Sequence, residues 1–189
     1  STTFEGGVAA DVVVGTKVEV EGSLSSSVLT ATKVSFRENI RFEANVAATS
    51  GGSFTLQGLN GITIQTNAAT RFDKVGSVAG LAANNNVRVR ARPGSAGTVV
   101  ATEVELRNAN ASTDVRFRAI ATAASDPNVT MLGLTISTAN ITQFRDLNDL
   151  SISRPVFFNA LVGGHTLIEV RGTLSGATIN WNREAQLEN

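Results

Sequence analysis

Val18-Glu19-Val20-Glu21-Gly22 returns as Val87-Arg88-Val89-Arg90-Ala91 and a third time as Ile168-Glu169-Val170-Arg171-Gly172. Each run alternates apolar with charged residues, the period of a strand that buries one face. Two further blocks keep the same order around it. Thr2-Thr3-Phe4-Glu5 recurs as Thr70-Arg71-Phe72-Asp73 and as Thr142-Gln143-Phe144-Arg145, at intervals of 68 and 72 residues. Arg41-Phe42-Glu43-Ala44 recurs as Arg116-Phe117-Arg118-Ala119. A common order at near-constant spacing is the signature of an internal repeat.

Closing strands follow in two cases, Thr30-Ala31-Thr32-Lys33-Val34-Ser35-Phe36 and Val100-Ala101-Thr102-Glu103-Val104-Glu105-Leu106. Between the strands lie Ser50-Gly51-Gly52, Asn84-Asn85-Asn86, Pro93-Gly94-Ser95-Ala96-Gly97 and Gly163-Gly164, which supply positive φ or backbone-bonding side chains at turns. A complete repeat reads as five or six short strands at hairpin spacing. That predicts an all-β fold of tandem small β-barrel units, OB-like or similar, since closure removes exposed edges. Residues 1–36 form a half unit matching the second half of a repeat, 40–106 a complete unit, and 115–187 a complete unit with an insert at 146–158 that holds a helical turn. The chain thus carries about two and a half repeats.

Placing Val18 opposite Val34 and Val87 opposite Val104 sets Glu19 against Lys33 and Arg88 against Glu103, one ion pair with its charges exchanged. Glu169 has no such partner in this register.

Thr-x-Phe-Glu/Asp, then Val-x-Val-x-Gly, then Thr-x-Val-x-Phe/Leu resembles a bacterial domain family of unknown function, made of short all-β repeats in exported proteins and lipoproteins. The resemblance is best over 2–36 and 40–106 and poorer over 115–187, where Ile179 and Trp181 replace the closing pattern. It implies barrel-like β units and an extracytoplasmic location: periplasm, outer-membrane surface or outside the cell. It implies no catalytic residue.

The chain is 42% hydrophobic and 17% charged, with sixteen basic and sixteen acidic side chains. A chain this apolar folds, and a zero net charge argues against specific nucleic-acid binding, which draws on a basic excess. No apolar run reaches the ~20 residues of a spanning helix. Cysteine is absent, which excludes disulfides, thiolate metal sites and cysteine nucleophiles. Three lysines stand against thirteen arginines, a surface-protein composition. The first residue is Ser1 rather than Met, so no signal peptide is readable.

Candidate catalytic groups resolve into structural ones, and neither a cofactor nor a metal is expected. His165, the one histidine, reads as a turn or surface residue, with no Gly-x-Ser-x-Gly elbow to serve it. Glu19 and Glu21, and likewise Glu103 and Glu105, share a strand face as a glycosidase pair requires, but alternate with inward residues and are expected in solvent. Asp146-Leu147-Asn148-Asp149 lacks the glycine of a calcium loop and reads as a polar loop. The phenylalanines at repeated positions read as core. Arg88, Arg90 and Arg92 form a possible anion-contact stripe.

The half unit presents Val18, Val20, Val34 and Phe36 without the strands that cover such a face elsewhere, because a lone hairpin is marginal in water. Its missing partners come from upstream, from the second unit, or from another copy by strand addition. The functional expectation is therefore a non-enzymatic extracytoplasmic structural protein that joins copies of itself through β-edges, as a surface filament or envelope assembly subunit. The alternative is a periplasmic or cell-surface module that binds a polysaccharide, an envelope component or an anionic polymer.

Overall fold

The computed structural model describes residues 1–12, 16–37, 39–94, 98–161 and 165–189. The turns expected at Ser95-Ala96-Gly97 and Gly163-Gly164 lie outside the described residues. Elsewhere the alternating runs become strands, and the protein is all-β with one short helix among the described residues.

The opening segment supplies β1 (Thr3–Glu5), β2 (Lys17–Ser25) and β3 (Val28–Arg37), a sheet of its own in the order β1-β3-β2. The second supplies β4 (Ile40–Ser50), β5 (Ser53–Leu56), β6 (Thr63–Gln65), β7 (Arg71–Asp73), β8 (Asn86–Pro93) and β9 (Val99–Asn108). The third supplies β10 (Asp114–Ser125), β11 (Asn128–Met131), β12 (Leu134–Ser137), β13 (Gln143–Arg145), β14 (Ser151–Ile152), helix α1 (Arg154–Ala160), β15 (Thr166–Ser175) and β16 (Thr178–Glu188). The helix falls at the end of the expected insert, with a proline in its first turn.

Matched sequence takes matched pairings. The Phe-bearing short strand runs parallel to the closing strand three times, with Phe4 opposite Val34, Phe72 opposite Val104 and Phe144 opposite Ala185. The preceding long strand pairs antiparallel with the same closing strand in β2·β3, β8·β9 and β15·β16. In the second segment the ladders β4·β5, β5·β6, β6·β9, β9·β8 and β8·β4 form a ring. In the third, β12 pairs only with β11 among the described residues, and no corresponding ring of ladders is formed by them.

The register differs from the expected one by two residues. Val18 faces Phe36 and Val20 faces Val34, so Lys33 opposes Glu21 rather than Glu19; likewise Arg90, not Arg88, opposes Glu103. Two causes add in the opening hairpin. Its turn has only two residues, Ser26 and Ser27, both at positive φ, and the ladder shifts at a bulge between Glu21 and Gly22. In the corrected register the third segment also keeps the pair, with Arg171 opposite Glu184.

The second and third segments meet through β4 and β10, which run antiparallel with Phe42 directly opposite Phe117. The equivalent residues therefore face each other, as across a two-fold axis. Inside, Ile40, Phe42, Ala44 and Val46 from β4 and Val115, Phe117, Ala119 and Ala121 from β10 join one continuous core.

Among the described residues no strand of the opening sheet pairs with the larger one, and a buried cation ties the two together. Arg92, at the end of β8, is fully buried. Its Nη2 donates to Asp11 Oδ2 at 2.7 Å, its Nε to the Gly6 carbonyl at 3.1 Å, and its guanidinium lies 4.8 Å from the Phe36 ring centre. Gly7 lets that ring close in, since a Cβ there would come within 2.7 Å of it.

Candidate functional site

The opening sheet leaves one edge uncovered. β8 is paired on both sides, by β9 and β4, and β15 on both sides, by β16 and β10. The equivalent β2 pairs with β3 alone among the described residues.

Burial follows the pairing. Val89 and Val170 have no exposed surface, whereas Val20 at the same place in β2 is 39% exposed. At the hairpin end, Leu174 and Ile179 of the third segment pack into the core, and Ile179 sits so close to Gly58 that a Cβ there would come within 2.4 Å of it. The matching Leu24 and Leu29 are 72% and 48% exposed, and Val28 beside them is 64% exposed. The four residues expected as a self-association face divide. Val34 and Phe36 are buried within the chain, Val18 is half-buried, and Val20 opens onto the apolar end with Leu24 and Leu29.

A second feature covers the outer face of the large sheet. Across β9, β8, β4, β10, β15 and β16 run Glu105, Arg88, Glu43, Arg116, Arg171 and Glu184, each opposite the next. Glu43 is its hub. Arg88 Nε donates to it at 2.7 Å, Arg41 Nη2 at 2.8 Å, and Arg116 Nε lies 3.4 Å away. Burial pushes the Glu43 carboxyl up, but the hydrogen bonds from Arg88 and Arg41 and the Arg116 charge outweigh it and hold it below its ordinary value. The same Glu43 contact raises the Arg88 guanidinium. Glu105 is lowered, first by the hydrogen bond from Lys74, against the cost of burial.

Each segment also flanks one charge of its closing strand with two opposite ones. Glu5 and Glu21 flank Lys33, Arg71 and Arg90 flank Glu103, and Arg145 and Arg171 flank Glu184. The sign inverts only in the opening segment, where the Glu5 hydrogen bond raises Lys33.

The arginine stripe is broken. Arg88 and Arg90 lie on the outer face, engaged with Glu43, Glu105 and Glu103. Arg92 is not part of that surface, because the opening segment covers the end of β8 and buries it. Of the acids expected in solvent, Glu19 and Glu21 are exposed and pair there with Arg37 and Lys33, whereas Glu103 is half-buried between Arg71 and Arg90, and Glu105, only 8% exposed, is paired with Lys74, Arg88 and Arg107. Asp146 spends Oδ1 on the backbone N–H groups of Asn148 and Leu150, as a loop residue does. His165 is exposed, at the rim of a cleft of about 500 Å³ that Lys17, Leu147 and Leu187 also line. Phe42, Phe117 and Phe144 are core residues, while Phe4 and Phe72 are half-buried.

The domain of unknown function DUF5666 matches residues 1–35 and 43–105. The chain belongs to that family. Comparison with curated proteins and with solved structures returns no match.

Proposed function

We propose that this member of the DUF5666 family is a non-enzymatic structural subunit that joins further copies of itself through the open edge of β2. One observation carries this reading. The strand position that β4 and β10 fill beside β8 and β15 has no strand beside β2 among the described residues, and Val20, Leu24, Val28 and Leu29 stand exposed next to it. An unpaired edge flanked by an apolar patch is a template for strand addition.

A second copy of β2 fits that edge. Antiparallel pairing about Gly22 sets Val20 against Leu24 of the other copy, Glu19 against Ser25 and Glu21 against Ser23, with no like charges opposed. Pairing of β2 with β2 closes as a dimer, whereas pairing of β2 with a different edge extends into a filament. The compartment proposed is extracytoplasmic, as an envelope or surface assembly of tandem barrel-like units; the three lysines against thirteen arginines support it. The ring of five ladders in the second segment supports the barrel-like part of this reading. Negative-stain electron microscopy of the native material is the test: particles larger than one chain, or fibres, are expected, and uniform single-chain particles at every concentration contradict it.

The outer arginine face favours a second role, binding of an anionic polymer such as an acidic polysaccharide. This role and self-association use different surfaces and are separable by mutation.

A further inference from the structure

β2 has two counterparts in the chain whose outer edge is filled, and both show what fills it. On β8 that strand is β4, and on β15 it is β10. Each runs antiparallel with its phenylalanine opposite the middle valine, so that Phe42 faces Val89 and Phe117 faces Val170. Val20 is the matching residue of β2, exposed where those two valines are fully buried. The edge has the same shape in all three. The ladder to the closing strand shifts at one place, after Glu21, Arg90 and Arg171, so β2 carries the bulge of the two strands that have an outer neighbour.

Charge decides which kind of strand fits. The residue before the phenylalanine, Arg41 or Arg116, opposes Arg90 or Arg171; the residue after it opposes Arg88 as Glu43 and Glu169 as Arg118. In the same register on β2 these two positions face Glu21 and Glu19. A strand of the β10 kind, Arg-Phe-Arg, then sets an arginine against each glutamate, whereas β10 itself meets an arginine at one of the two. A strand of the β4 kind, Arg-Phe-Glu, sets a glutamate against Glu19, and a second β2 offers both glutamates only serines. Glu19 and Glu21 stand exposed with Arg37 and Lys33 beside them. A carboxylate on such a sheet still accommodates further guanidinium groups, since Glu43 receives Arg41, Arg88 and Arg116 together.

We propose that the open edge of β2 takes an antiparallel basic strand from another polypeptide, with the alternation Arg-Phe-Arg that β10 carries. Its phenylalanine covers Val20 and its two arginines face Glu21 and Glu19; main-chain hydrogen bonds supply the affinity and the alternating side chains the choice of partner. By this chemistry the partner is the leading strand of a further repeat of the same kind. β10 of a second copy does not supply it, because β4, β11 and β15 already pair with it. The inference rests on the open edge of β2 proposed above and not on pairing between two copies of that strand.

Fluorescence anisotropy of labelled synthetic peptides with the native chain at low ionic strength tests it, with sedimentation velocity reading the chain's own assembly in parallel. A peptide with the sequence of residues 113–123 is expected to bind. The same peptide carrying Arg116→Glu and Arg118→Glu is expected to bind about fivefold to tenfold more weakly, the combined effect of two cross-strand charge pairs. The chain variant Glu19→Arg/Glu21→Arg is expected to reverse that order and prefer the acidic peptide, a result that loss of fold does not produce. Hydrogen exchange locates the bound peptide, with slowed amides at residues 18–22. Equal affinity of the native chain for both peptides, or unchanged exchange at residues 18–22, overturns the proposal. A chain that self-associates yet binds neither peptide overturns it and leaves pairing between copies standing. A chain that stays monomeric and binds the basic peptide along β2 upholds it and removes that pairing.

Discussion

Phe42 and Phe117 stack with ring centres 5.1 Å apart and planes inclined by 18°, and they also oppose each other in the β4·β10 ladder. Because the two residues are equivalent in sequence, their contact marks the axis about which the second and third segments pack. It explains why one core runs through both. Truncating either ring is expected to cost about 3–5 kcal/mol. The double Ala variant should cost less than the two singles combined, since the second truncation enters a cavity already made. Urea unfolding of the four proteins measures the coupling.

Arg92 and Asp11 make the polar fastening between the opening sheet and the rest. Removing one partner of a buried ion pair leaves the other charge stranded, at about 3–5 kcal/mol. Asp11→Ala is therefore expected to expose backbone amides of β2 and β3 to hydrogen exchange before those of β4 and β10. Equal protection in variant and native protein would show that the fastening lies elsewhere.

Glu43 ties acid stability to the arginine network. Its carboxyl is held below the ordinary value in the folded chain, so its contribution is complete above the unfolded pKa and is lost as pH falls through the lower folded one. Glu43→Gln should remove about 1.5–3 kcal/mol at neutral pH, the range for hydrogen bonds to a charged group. The gap between native and variant should narrow below about pH 4, near the reference carboxylate range. Guanidinium titrations at a series of pH values read this directly.

Gly172 sits where β15 skips a pairing position, and a Cβ there would lie 2.4 Å from the Asn180 carbonyl oxygen; at Gly22 it would lie 2.2 Å from that of Thr30. The obstruction is backbone and cannot swing away. Gly172→Ala and Gly22→Ala are each expected to destabilise by about 1–3 kcal/mol, the usual range for overpacking. Native-like thermal midpoints for both would mean that the bulges relax freely.

Much of this architecture is legible in the sequence because the strand signal is local. The two Val-x-Val runs and Ile168-Glu169-Val170 alternate strictly, and the recurring phenylalanines mark equivalent places on the short parallel strand. The register is not legible, since one bulge and a two-residue serine turn leave no compositional mark. An error of two residues nevertheless preserves every face. That is why the Glu/Lys exchange is anticipated in kind but placed on the wrong pair. The buried state of Arg92 depends on a neighbour eighty-one residues away, Asp11, which no local pattern encodes.

Sedimentation velocity over a hundredfold range of concentration, on the native chain and on the double variant Val20→Lys/Leu24→Lys, bears most directly on the open edge of β2. Lysine at both sites places charge on the apolar face beside an edge strand, a recognised block to strand addition, without touching a buried residue. The native protein should sediment as a species of two or more chains that dissociates on dilution, and the variant as a single chain throughout. A native chain that sediments as a monomer across the whole range, or a variant that assembles as well as the native one, contradicts self-association through β2.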